Sequence, residues 1–206
     1  GMERVKVYND KGMATKNGVG LFARAFMNHF PILPCEEEGR LHDMKLRENF
    51  FDRVFALHRW KLSMADAPTV GKLVEFHTAH KLQLMAHSPE HYRSLGKLVA
   101  NASDGELNTV LDEYVELFMQ GLSRHATLKK NTNTLQHCLG YFKKQLEPDE
   151  KQEMLEIIED YHGGGLPLIV PITMIRHFVR KYEQPYLRLQ TYLYPSPEEM
   201  HLRNHC

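Results

Sequence analysis

Cysteine is scarce in this chain of 206 residues: only Cys35, Cys138 and Cys206 occur, and no two stand close enough for a CxxC-type ligand pair. That spacing excludes a disulfide scaffold, argues against a cysteine-ligated zinc or iron–sulfur centre within the chain, and suits a reducing, cytoplasmic setting. No basic stretch followed by an apolar one opens the sequence, so no secretion signal is read. The longest uncharged run, 163–175, is interrupted by Pro167 and Pro171 and is too short to cross a bilayer, so no membrane association is expected. Nucleophile elbows, phosphate loops, GxGxxG strands and HExxH helices are all missing. Net charge is missing as well, because 26 Lys and Arg balance 26 Asp and Glu. Any polyanionic partner must therefore be argued from local charge.

What is present divides the chain. Residues 4–8 alternate as a strand and run into the turn residues Asn9, Asp10 and Gly12. Leu21, Phe22, Ala25, Phe26 and His29 recur at helical spacing up to Pro31, and Phe50, Phe51, Val54, Leu57 and Leu62 mark a second amphipathic helix over 46–60. One strand and two helices cannot bury an adequate core, so 1–62 reads as part of something larger. A linker is expected at 63–69. From residue 70 onward the periodicity is helical throughout, predicting helices at 68–86, 89–102, 105–125, 131–146, 148–162 and 168–183, then a Pro- and Tyr-rich tail. The fold class is thus mainly α: an all-α bundle over 70–206 with a small N-terminal α/β remnant.

Charge is segregated within the bundle. No acid occurs from Leu117 to Leu146, a stretch holding Arg124, Lys129, Lys130, Lys143 and Lys144, and between Leu166 and Tyr194 only Glu183 opposes Arg176, Arg180, Lys181 and Arg188. Seven acids crowd the segment 147–160 between them. On the helix containing Leu135, Cys138, Leu139 and Phe142, the face opposite that apolar set gathers Asn133, His137, Tyr141 and Lys144. On the last helix Arg176, His177, Arg180 and Lys181 line the outer side. Solvated helices ordinarily mix signs for i,i+4 pairing, so two cationic faces point to a polyanion, with aromatic and imidazole rings placed to contact bases.

A second constellation lies on the helix beginning at Val70. His77, His80 and Lys81 fall inside the apolar arc of Leu73, Phe76 and Leu84, with His87 and Tyr92 following. An unpaired buried ammonium costs several kcal/mol. Either Lys81 pairs with a carboxylate in a core network, or the stripe lines a small-molecule or modified-nucleoside pocket in which His77, His80, Lys81, His87 and Tyr92 are the catalytic candidates. Zinc at His77 and His80 lacks a third ligand nearby, so no metal site is assigned. A third reading is an interaction domain.

The runs Phe76-His77-Thr78-Ala79-His80-Lys81, Tyr92-Arg93-Ser94-Leu95-Gly96, Asn133-Thr134-Leu135-Gln136-His137, Gly140-Tyr141-Phe142 and Ile175-Arg176-His177 resemble the YbgA-like family of bacterial domains over about 68–194. Residues 3–62, through Glu3-Arg4-Val5-Lys6-Val7-Tyr8, Gly18-Val19-Gly20-Leu21-Phe22-Ala23 and Glu36-Glu37-Glu38-Gly39-Arg40-Leu41, resemble the end of a thiouracil or thiouridine desulfidase-like domain. That resemblance implies iron–sulfur ligands upstream of the segment and none in this chain, so no cofactor is expected here. Proteins joining both parts are similar to tRNA thiouridine desulfidases, which implies a non-catalytic module binding tRNA or another RNA. A homodimer covering the N-terminal remnant is a further expectation.

Overall fold

In the computed structural model, which describes residues 5–204, the chain opens with an antiparallel hairpin, β1 (Val5–Tyr8) and β2 (Ala14–Gly18). Arg4 and Cys206 lie outside the described residues. Val7 faces Thr15 and Tyr8 faces Ala14, with an irregularity between Val5 and Val7. The turn is set by Asn9, whose Oδ1 accepts from the amides of Lys11 and Met13, and by Gly12 at φ +71°. β2 went unread in the sequence because Ala-Thr-Lys-Asn-Gly lacks apolar alternation. Backbone pairing builds it, with the Thr15 hydroxyl donating to the Val7 carbonyl (3.3 Å).

Helix α1 (Leu21–His29) follows, with no buried residue, then a 3₁₀ turn at Glu38–His42. Asp43 caps α2 (Met44–Met64) by accepting from the amides of Lys45 and Leu46. The remaining helices are α3 (Val70–His87), α4 (Pro89–Ala100), α5 (Leu107–Ser123), α6 (Leu128–Gly140), α7 (Pro148–His162), α8 (Ile169–Lys181), α9 (Pro185–Arg188) and α10 (Pro197–Asn204). The protein is therefore mainly α, a helical bundle with a small N-terminal hairpin. Thr69, Ser88 and Thr127 cap α3, α4 and α6 through side-chain oxygens, and Gly164 takes φ +81° in the turn after α7.

Several expected boundaries move. α6 starts three residues early, because Thr127 caps it, and ends at Gly140, where the last turn tightens through Phe142 N to Leu139 O. Tyr141 and Lys144 thus leave the helix end instead of riding on its face. On α2 the buried side is Asn49, Asp52, Ala56, Leu57 and Trp60, while Val54 and Leu62 are exposed. Sequence periodicity misjudged this face because it is partly polar.

Two apolar clusters form the interior. One gathers Ala56, Leu57 and Trp60 of α2 with Leu73, Phe76 and Leu84 of α3, Leu95 of α4, and Tyr114 and Phe118 of α5. The other gathers Leu135 and Cys138 of α6, Met154 and Ile158 of α7, Ile175 and Phe178 of α8, and Leu187 of α9. α3 feeds both, since Leu82 and Ala86 belong to the second cluster. Trp60 stacks on Tyr114 at 5.1 Å, so the helix before the corner at 63–69 shares a core with the helices after it. Gly121 permits the close approach of α5, since a Cβ there would lie 2.9 Å from His91 Cβ and 3.3 Å from Leu84.

A central helix shared by two cores predicts one cooperative unit. Leu82→Ala, in one cluster, and Leu84→Ala, in the other, should each cost about 2–5 kcal/mol. Circular dichroism and tryptophan fluorescence, the latter read from Trp60, should report coincident denaturant transitions for both variants.

Candidate functional site

Placing α3 between two cores buries His77, His80, Gln83 and His87, and each receives a partner from a different element. His80 Nδ1 donates to the Phe76 carbonyl (2.7 Å), and its Nε2 accepts from Arg59 Nε (3.0 Å). Arg59 in turn pairs with the buried carboxylate of Glu199 on α10 (2.7 Å). The His80 imidazole is therefore neutral, its pKa lowered to about 3 by burial and by the neighbouring guanidinium. His87 Nε2 lies 3.2 Å from Asp52 Oδ2 and its Nδ1 2.8 Å from the Arg124 carbonyl oxygen. The fully buried Gln190 donates to Thr78 O (2.7 Å) and accepts from Leu82 N (3.3 Å), bridging two groups that an α-helix pairs with each other. Thr191 holds Ala79 O and Gln83 Oε1.

His77 is different. Its Nδ1 lies 3.1 Å from the hydroxyl of Tyr114, a fully buried phenol with no other hydrogen-bond partner among the described residues. The phenol therefore donates to Nδ1, which leaves the proton on Nε2. That Nε2 is buried and has no partner among the described residues. Burial and the charge of Lys81, one turn further along α3, lower the His77 pKa to about 4.

Lys81 is half-buried, and among the described residues no carboxylate lies within ion-pairing distance of it. Of the two alternatives for Lys81, the carboxylate pairing is therefore not the one seen among the described residues. The described residues hold no group of three or more His, Cys, Asp or Glu able to bind a metal ion. Cys138 is buried, and its thiol is pushed up to about 12.

The cationic set is only partly free. Lys130 folds inward, donating to the carbonyls of His87 (2.7 Å) and His125 (2.9 Å). Lys181 pairs with Glu150 at the start of acidic α7 (2.6 Å), and Tyr182 donates to the same carboxylate, which falls to about 2. Of the cations expected to face a polyanion, Lys130 is thus engaged by two carbonyls and Lys181 by the acidic helix. Arg176 lies over the Tyr194 ring at 4.9 Å. His177 is exposed at the mouth of a groove of about 460 Å³ lined by Ile157, Ile169, Thr173 and Met174. Arg124, Lys129, Asn133, His137, Lys144 and Arg180 remain exposed.

At the corner where α6 and α8 end, Tyr141 stacks on Tyr186 (5.1 Å, 14° between rings), with His137 edge-on to Tyr141 at 5.7 Å. Gln184 ties the corner by donating to Gln145 Oε1 (2.7 Å). Tyr92 of α4 interacts electrostatically with both Tyr141 and Tyr186. Tyr186 was missed in the sequence. The only signal was its position in the Tyr-rich tail after Pro185.

The profile of a family described as "Protein of unknown function (DUF1722)" matches residues 81–197. The chain belongs to this family. It is similar to "Uncharacterized protein YbgA" of Escherichia coli (strain K12), 32% identical over 153 residues, which is 74% of this chain and 90% of that protein. No solved structure matches it. The matched DUF1722 region holds Lys81, Tyr92, the α6–α8 corner and every surface cation named above, while His77 and His80 lie just before it. No helix among its described residues is long and apolar enough to cross a membrane.

The two neutral histidines give a pH prediction. Both pKa values are lowered on folding, so the unfolded chain binds protons that the native state refuses. Stability should fall as pH drops from about 6.5 towards 4, by about 1.4 kcal/mol per pH unit for each histidine still neutral in the fold. Urea titrations across that range check it. His80→Gln should flatten the slope.

Proposed function

We propose that this DUF1722 protein is a non-catalytic RNA-binding module, with tRNA as its substrate class, acting as the accessory part of a thiouridine desulfidase-type protein. The observation that carries the reading is the exposed set Lys129, Asn133 and His137 on α6, drawn from a sequence stretch without acids and followed past the helix end by the Tyr141–Tyr186 stack and Lys144. Thirteen residues of α6 span about 20 Å, which separates Arg124 and Lys129 from Lys144 and Arg180 by several phosphates of a strand. Tyr141, 37% exposed, offers a ring on which an unpaired base stacks. Lys144 and Arg180 also lie where helices end, so part of their charge offsets the negative end of the helix dipole.

The desulfidase association draws support from the N-terminal segment. Leu21 and Phe22 are 83% and 82% exposed on a helix that buries nothing, and Val7, Tyr8 and Met13 are exposed on the hairpin. Such a surface is suited to cover by a cluster-bearing catalytic half, or by a second copy of this chain when that half is absent. The cytoplasm is the setting proposed for both.

Fluorescence titration of tRNA against salt tests the RNA reading. Four free cations should give a log–log slope near −3, at about −0.7 each for single strands. Lys129→Glu with Lys144→Glu should weaken binding at least tenfold and shallow the slope. Lys181→Ala should change affinity by less than twofold. A flat slope, or equal loss for both variants, overturns the reading.

A further inference from the structure

Gly96 sits in the body of α4, where glycine is less favourable than alanine. Nothing steric demands it. A Cβ at this position would meet just one atom within 4 Å, and that atom is His77 Nε2, at 4.0 Å. The same nitrogen is the unpartnered donor described above, on a side chain that is 2% exposed. A buried N–H without an acceptor carries its full desolvation penalty, so it calls for an occupant. Lys81, one helical turn beyond His77, brings a second donor with a full positive charge and no carboxylate partner among the described residues. Tyr92, one turn before Gly96, is half-buried and leads toward Tyr141 and Tyr186.

We infer that Gly96 leaves open a port through which the His77 Nε2–H and the Lys81 ammonium bind one oxyanion, of the phosphate class. Two donors and no acceptor exclude a cation. A positive charge on a flexible stem beside a fixed neutral N–H suits a tetrahedral anion, taking one oxygen at each donor. The missing side chain at Gly96 clears the path. The binding needs no catalysis and goes beyond the RNA reading, because the port lies on the α3–α4 seam and not on the α6 stripe. Two sources share this chemistry, a free phosphate monoester and the backbone of a nucleic acid.

The experiment follows the His77 ring nitrogens of the intact chain by long-range ¹H–¹⁵N NMR, titrating inorganic phosphate, then a nucleoside monophosphate, then tRNA. Chloride at equal ionic strength is the control. The expected result is a saturable shift of the Nε2 resonance with phosphate that chloride does not produce. Gly96→Ala should raise the apo melting temperature, since alanine favours the helix, and yet weaken phosphate binding at least tenfold by covering the port. Lys81→Gln should weaken it similarly. Persistence of the tRNA-induced shift in the Lys129→Glu, Lys144→Glu variant would assign the port to the backbone of the RNA. Its loss there, with phosphate binding retained, would assign it to free monoesters. Absence of any phosphate-specific shift in the parent chain, or undiminished affinity in Gly96→Ala, overturns the inference and leaves a buried water as the partner of Nε2.

Discussion

A helix buried on every side must satisfy its polar side chains inside the protein, and that requirement organises this molecule around α3. Leu73, Phe76 and Leu84 enter one core while Leu82 and Ala86 enter the other, so α3 is buried on every side from Leu82 to His87. His80, Gln83 and His87 consequently draw partners from elsewhere in the chain: Arg59 and through it Glu199, Thr191, and Asp52. Each partner is a long-range tether. The tail is held against α3 by Gln190 and Thr191, and α2 by Arg59 and Asp52. Unsatisfied buried groups cost far more than satisfied ones contribute, so these contacts serve mainly to fix which elements pack where.

The same constraint separates structural from available chemistry. His80 and His87 are saturated, and Lys130 and Lys181 are taken up by carbonyls and by Glu150. What stays free among the described residues includes the exposed cations of α6, the tyrosine stack at its end, and the donors of His77 and Lys81. The two sets sit on neighbouring elements, since α3 packs against both α4 and α6. Of thirteen histidines, His77, His80 and His87 are buried, and among these three His77 alone keeps a ring nitrogen without a partner among the described residues.

Much of the bundle was legible from periodicity and caps. The Ser88-Pro89 start of α4, the Gly163–Gly165 stop after α7, and the apolar sets of α6 and α8 follow directly from local chemistry. α2 was harder, because its inner face carries Asn49 and Asp52, whose burial makes sense only once His87 is beside them. β2 was invisible for lack of apolar alternation. The site was partly legible: single-sign charge marked the α6 stripe, but nothing local told Lys129 from Lys130, since Lys130 is drawn inward in part by the His87 carbonyl at the end of α3. Tyr186 and Gly96 acquire meaning only from tertiary neighbours.

Native-state hydrogen exchange across increasing denaturant tests the organising role of α3 most directly. The account predicts that amides in α3, α5 and α8 converge on one opening free energy, the global one, with α3 slowest to exchange. Early, independent opening of α6–α9, several kcal/mol below the global value while α3 and α5 stay protected, would show two separable units and contradict it.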